Sequence, residues 1–284
     1  MDDNAFRDTV FLPWAADEGI PLEDVPEWAR HQAMQYEFLL RQRLPRDARV
    51  LDMGCGPLRL GSRLIPYLAR GWYVGQDINP RTLDVGRRVL ARLGVPMDRC
   101  TLVCSDDFSL PGIDDGSIDV AFSNSLFSHL SAGSVRRCLN SVATKLRPGG
   151  VYYSTFFAIP EGHERSQPFP RNKWGWSFAT YSDRDPFHYA VSAMDELARA
   201  TGYSLGIDPD FGHPTQTMGV FRRRPVRSTE RHDDVPTACP SPGPVLAGER
   251  LCPVSEASRA PRPAGPSHPT LARGPSPTWS RPRP

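Results

Sequence analysis

The sequence predicts an α/β domain with a doubly wound, mostly parallel, seven-stranded sheet, helices on both faces, and a disordered C-terminal tail. Three observations predict it. Short β-like runs alternate with helical patterns up to residue 221, which gives parallel strands linked by crossover helices. A Gly-x-Gly turn follows the first strand. After residue 221 the composition changes abruptly: fourteen of the 30 prolines lie between Pro225 and Pro284.

The elements follow in order. Glu27 to Leu44 reads as an amphipathic helix, with Trp28, Tyr36, Leu39 and Leu40 on one broad face. It is either a packing helix or a lid, so residues 1–46 form an N-terminal helical cap. Strands are expected at 49–52, 72–77, 101–104, 118–123 and 151–157, then at 203–207 and 218–221. Helices are expected over 60–69, 81–93, 134–146 and 192–200. Pro148-Gly149-Gly150 breaks the chain before the fifth strand. The domain proper spans 47–221, with a substrate-side insertion over 158–190 that carries Phe169, Trp174, Trp176, Phe178 and Tyr181. Residues 222–284 bury too little apolar surface to offset their ordering entropy, so they are expected to be disordered.

Charge and composition exclude several classes. The formal net charge is +2. Residues 222–284 hold eleven Arg against five Asp or Glu, about +6, which leaves the body at about −4. A mildly acidic body lacks the basic face of a nucleic-acid binder. The acidic start MDDNAFRDTV has no apolar run, and no stretch approaches the roughly 18 apolar residues of a membrane span. The six cysteines form no CxxC pair, which fits reduced thiols in a cytoplasmic protein. No metal-ligand constellation stands out.

The site pattern begins at Val50-Leu51-Asp52-Met53-Gly54-Cys55-Gly56-Pro57-Leu58-Arg59. Glycines let a backbone turn sharply and approach a ligand. A dinucleotide site requires G-x-G-x-x-G, and Arg59 stands where the third glycine belongs. An acid just before the glycines suits a ligand with a free ammonium instead, and Asp52 is placed to meet it. Asp77 ends the second strand, where a carboxylate accepts from ribose hydroxyls; dinucleotide enzymes share this feature. Asp106 and Asp107 follow the third strand in SDDFSLP, in reach of an adenine ring. Each acid alone could be a helix cap or a turn residue. Three acids after three successive strands are hard to explain as three caps.

From Val50 to Phe157 the chain resembles the class I S-adenosylmethionine-dependent methyltransferases, whose domain is Rossmann-like. The likeness rests on LDMGCG, VGQDI, SDDFSLP, DVAFSN and LRPGG. A bacterial small-molecule subgroup is similar also in YEFLL, GCGPLRLG, SLFSHL, STFF and DPFHY. The resemblance implies a methyltransferase with S-adenosylmethionine as methyl donor, no metal, and a small-molecule acceptor. It implies that Asp52, Gly54, Cys55 and Gly56 frame the methionine moiety. Asp77 and Ile78 would lie at the ribose, Asp106 and the Asp107 backbone at the adenine, and Asn124 beside the reacting methyl. One departure is Leu58, where the family often has a third glycine.

Methyl transfer from a sulfonium has a good leaving group, so the protein chiefly orients the reactants and removes a proton. A neutral His is the usual base for a hydroxyl. His129 in SLFSHL is the first candidate, His188 in PFHY the second, and His213 in GHP a third. Each could equally be a hydrogen-bonded structural histidine. A cofactor-binding module without turnover and a methyltransferase acting on a macromolecule stand as alternatives.

Overall fold

A computed structural model describes residues 26–164, 166–173 and 176–224. The expected tail beyond residue 224, the chain before Pro26 and Trp174 lie outside the described residues. The opening helix, α1, spans Pro26–Arg41. Then come β1 (Arg49–Met53), α2 (Gly61–Tyr67), β2 (Trp72–Asp77), α3 (Pro80–Arg92), β3 (Cys100–Cys104) and β4 (Ile118–Ser123). The second half adds α4 (Ala132–Lys145), β5 (Leu146–Ile159), β6 (Phe169–Lys173) and β7 (Trp176–Thr180). It closes with β8 (His188–Ala190), α5 (Val191–Ala200), β9 (Tyr203–Asp208) and β10 (Thr217–Arg223).

The main sheet runs in the order β3-β2-β1-β4-β5-β10-β9. β1 to β5 pair in parallel, and β10 is antiparallel to both neighbours. Parallel strands covered on both faces carry near-continuous apolar runs. Val50, Leu51 and Met53 of β1 are accordingly buried. On one face α4 and α5 bring Val135, Leu139, Met194 and Ala198 into a core with Leu51, Tyr152 and Phe221. On the other, α1, α2 and α3 bring Phe38, Leu64 and Leu83 against Val50, Phe122 and Tyr153. Asn79 caps α3, its Oδ1 accepting from Arg81 N and Thr82 N, and Pro80 occupies the first helical position.

The seven predicted strands are all present. Three differences are informative. An eighth strand, β8, pairs in parallel with the extended end of β5, Phe157 facing His188. The insertion is not one long loop but holds the β6–β7 hairpin. β10 continues to Arg223, so the boundary expected at 222 moves two residues later; its last residues pair with Val151 and with Ser204 and Tyr203.

β1 and β4 are neighbours although β2 and β3 intervene in sequence, so the strand order reverses there. Open α/β sheets bind ligands outside the carboxyl ends of the strands at such a point.

Candidate cofactor and active site

The four strand ends on that edge bring together the residues the sequence singled out. After β1 the chain turns through Gly54 (φ 66°) and Gly56 (φ 56°). A Cβ added at Gly56 would meet nothing within 4 Å, so the turn opens on free space where a ligand can approach its backbone. Leu58 also takes a left-handed conformation (φ 60°), which L-residues pay for in strain. Its side chain is buried, and Gly86 of α3 makes room for it: a Cβ at Gly86 would lie 2.7 Å from Leu58 Cγ. The missing third glycine is thus compensated by a glycine on the facing helix.

Asp77 is fully buried and braces this turn. Its Oδ2 accepts from Gly56 N (2.9 Å) and its Oδ1 from Asn79 N (3.0 Å). Ile78, half-buried, accepts the Cys104 thiol at its carbonyl. Cys55 donates its backbone N–H to Gln76 O (2.9 Å), and its buried thiol faces Gly75. Gln76, which sequence reasoning missed, clamps two segments. Its Oε1 accepts from Gly54 N (3.4 Å) and its Nε2 donates to Ser105 O (2.7 Å). It ties the glycine turn to the segment after β3.

Asp52 is buried beneath the turn. The hydroxyl of Tyr73, another residue not anticipated, donates to its Oδ2 at 2.6 Å. Burial pushes the Asp52 carboxyl up to about 7, against the opposing pull of the Tyr73 hydrogen bond and of the Arg59 charge. Arg59 donates to His31 Nδ1 (3.3 Å), and its guanidinium lies 5.8 Å from the Trp28 ring. Gln32 of α1 donates to Arg59 O and to Ser62 Oγ. Helix α1 is therefore strapped across the glycine turn, with His31 and Gln35 sharing its buried face with Trp28, Phe38 and Leu39.

Asp107 is exposed and forms a local turn, its Oδ1 accepting from Ser105 Oγ (2.7 Å) and Ser109 N (2.8 Å). These bonds hold its carboxyl at about 2. Its side chain makes the turn, and the neighbouring Asp106 is exposed. Asn124 follows β4. Its Nδ2 donates to Ser125 Oγ (3.1 Å), and its Oδ1 is buried without a partner among the described residues. Ser125 in turn donates to Gln216 Oε1 (3.3 Å). His213 Nδ1 accepts from Thr215 N (3.2 Å) and Gln216 N (2.9 Å), and its ring stacks 5.8 Å from His31. His213 therefore shapes the loop that borders Asn124.

The two leading histidines sit differently. His129 ends a 3-10 turn (Phe127–His129) just past β4. Its Nδ1 lies 2.7 Å from Asp185 Oδ1, and both side chains are 23% exposed. The insertion brings Asp185 there: Phe187 N donates to Ser128 O (2.7 Å), and the Tyr189 hydroxyl donates to Leu130 O. His188 is buried in β8, its Nδ1 3.1 Å from Thr180 Oγ1. Burial, helped by His163 and Arg171, pushes its imidazole below the ordinary histidine range. Among the described residues no group of His, Cys, Asp and Glu is arranged to hold a metal ion, and no helix is long and apolar enough to cross a membrane.

A Rossmann-like sheet is what this edge defines. The comparisons narrow it. A family model described as a methyltransferase domain matches residues 50–150. A crystal structure of an S-adenosylmethionine-dependent methyltransferase from Aquifex aeolicus superposes with TM-score 0.51 at 15% identity, over 70% of this chain and 93% of that one. Magnesium protoporphyrin IX methyltransferase from Synechocystis PCC 6803, solved with S-adenosylmethionine bound, gives 0.53 at 15%, over 78% and 98%. A Pyrococcus horikoshii OT3 protein gives 0.53 at 16%, over 71% and 93%. At these identities the likeness speaks for the fold. Residues 50–150 thus match a methyltransferase-domain model, and the fold is the Rossmann-like one shared with S-adenosylmethionine-dependent methyltransferases.

Proposed function

We propose that the protein transfers a methyl group from S-adenosylmethionine to a hydroxyl of a small-molecule acceptor, with His129 as general base. S-adenosylmethionine, when bound, supplies an electrophilic methyl on a sulfonium whose thioether is a good leaving group. The residues present suit it. The open face at Gly56, the Asp52 carboxyl beneath the turn, and an Asn124 Oδ1 that is buried without a partner among the described residues support this reading. Asp52 would pair with the ammonium, Asp77 and Ile78 would flank the ribose, and Asp106 with the Asp107 backbone would meet the adenine.

The observation that carries the base assignment is the 2.7 Å contact between His129 and Asp185. A carboxylate that accepts the Nδ1 proton fixes the tautomer, leaving an Nε2 lone pair to take the acceptor's hydroxyl proton. The proton moves from the acceptor oxygen to His129 Nε2, and Asp185 stabilises the resulting imidazolium. The reading is tested by supplying methyl-labelled donor to a panel of hydroxylated small molecules. Labelled ethers should form with wild type, and His129→Ala should lower kcat by about 10²–10⁴ with cofactor affinity unchanged. Equal turnover by His129→Ala would remove His129 from the chemistry.

A further inference from the structure

Asn124 and Ser125 follow β4 and lie beside the glycine turn: a Cβ added at Gly54 would stand 3.1 Å from Cδ1 of Leu126, the next residue along. Ser125 takes a left-handed conformation (φ 62°), which strains an L-residue and leaves glycine unstrained. Strain of this kind gathers at functional sites and persists where the surroundings hold it in place. Here three separate segments hold it. The Ser125 N–H donates to Oγ1 of the buried Thr155 of β5 (2.7 Å). The Ser125 carbonyl accepts from Oγ of the buried Ser128 (2.8 Å), in the turn that carries His129. The Ser125 hydroxyl lies between Asn124 and Gln216, which precedes β10.

The first two bonds belong to the backbone, and a glycine would make both without strain. What a glycine would lack is the hydroxyl. That hydroxyl has a single proton, which it donates to Gln216 Oε1 (3.3 Å). Toward Asn124 it can then only accept, and Asn124 Nδ2 donates to it (3.1 Å). The chain of bonds therefore has one direction, from Asn124 through Ser125 to Gln216. It decides which end of the Asn124 amide lies against Ser125, and it holds that side chain in one orientation. Gln216 is itself buried and fixed, its backbone N–H donating to His213 Nδ1 (2.9 Å). A side chain ordered in advance spares a complex the cost of ordering it on binding.

We propose that Ser125 is a positioning residue for the cofactor. Its hydroxyl sets the Asn124 amide in the orientation that meets S-adenosylmethionine, and Gln216 anchors the hydroxyl. Ser125 acts only through Asn124, so the proposal rests on the cofactor role given to Asn124.

The test is calorimetric titration of the full chain with S-adenosylmethionine. It compares wild type, Ser125→Ala and Ser125→Gly, each also in an Asn124→Ala background, with melting temperatures alongside. Ser125→Ala should bind about tenfold more weakly, through loss of the hydrogen bond that orders Asn124. Ser125→Gly should bind as weakly as Ser125→Ala yet melt at a higher temperature, because glycine accepts the left-handed angle. A purely structural role would instead make affinity follow melting temperature. With Asn124→Ala the hydroxyl has nothing left to orient, so either change at Ser125 should cost at most about twofold, the ordinary scatter of additive changes. Should Asn124→Ala bind too weakly to titrate, the comparison of the alanine and glycine variants decides alone. Wild-type affinity in either Ser125 variant, affinity that follows melting temperature, or a loss that persists undiminished in Asn124→Ala would each overturn the proposal. Asn124→Ala binding as tightly as wild type would remove Asn124 from the cofactor site, and would overturn the proposal by that separate route.

Discussion

Cofactor binding should depend on pH through Asp52, because a neutral carboxyl cannot pair with an ammonium. In the free protein burial raises this group to about 7. Binding that needs the carboxylate must then remove a proton below that pH. Affinity should scale with the ionised fraction, which falls about 25-fold between pH 7.5 and pH 5.5 for a pKa near 7. About 0.9 proton should leave at pH 6 on the same arithmetic. The sign for folding is opposite. A carboxyl whose folded pKa lies above its unfolded value of 3.8 contributes its stability fully below 3.8, and the contribution is lost as pH rises through about 7. Asp52→Asn should therefore stabilise the free protein at pH 8 while it removes the pH dependence of binding. Calorimetric titration with S-adenosylhomocysteine in phosphate and in MES, which differ in ionisation enthalpy, counts the protons directly. Tyr73→Phe removes the hydrogen bond that favours the ionised form, so its binding transition should move to higher pH. Affinity that stays flat from pH 5.5 to 7.5, or that rises as pH falls, would refute the pairing of Asp52 with the ammonium.

Other consequences can be checked by single substitutions. Gly86→Ala places a methyl 2.7 Å from Leu58 Cγ, so it should destabilise by about 1–3 kcal/mol in chemical denaturation and weaken cofactor binding through the displaced turn. Gln76→Leu removes both the acceptor for Gly54 N and the donor to Ser105 O; cofactor affinity should fall by roughly tenfold or more with the fold intact by circular dichroism. Asp185→Asn should lower kcat without changing cofactor affinity, because His129 loses the partner that orients its ring.

The strands were legible because each is an apolar run ended by Gly, Pro, Asp or Asn, and because burial on both faces leaves little else for such runs to do. β8 was not, since three residues carry no period and the strand exists only by pairing with Phe157–Ile159. The β6–β7 hairpin was hidden by proline and by the lack of clean alternation in FPRNK. At the site, strand-end acids were visible because spacing alone sets them on one edge. Their supports were not. Tyr73 reads as one more apolar residue of a strand, yet its hydroxyl reaches Asp52. Asp185 lies 56 residues from His129, and only the folded insertion brings them together. Leu58 shows the same limit: the third glycine's absence is plain in sequence, but the compensating Gly86 is found only by packing.

The most direct test of the account is calorimetric titration of wild type and Asp77→Ala with S-adenosylmethionine and S-adenosylhomocysteine. Asp77 both braces Gly56 and stands at the expected ribose. The account predicts micromolar binding of both ligands by wild type and a loss of at least about tenfold in the variant. Binding of neither ligand by wild type, or an Asp77→Ala variant that binds as tightly, would contradict it.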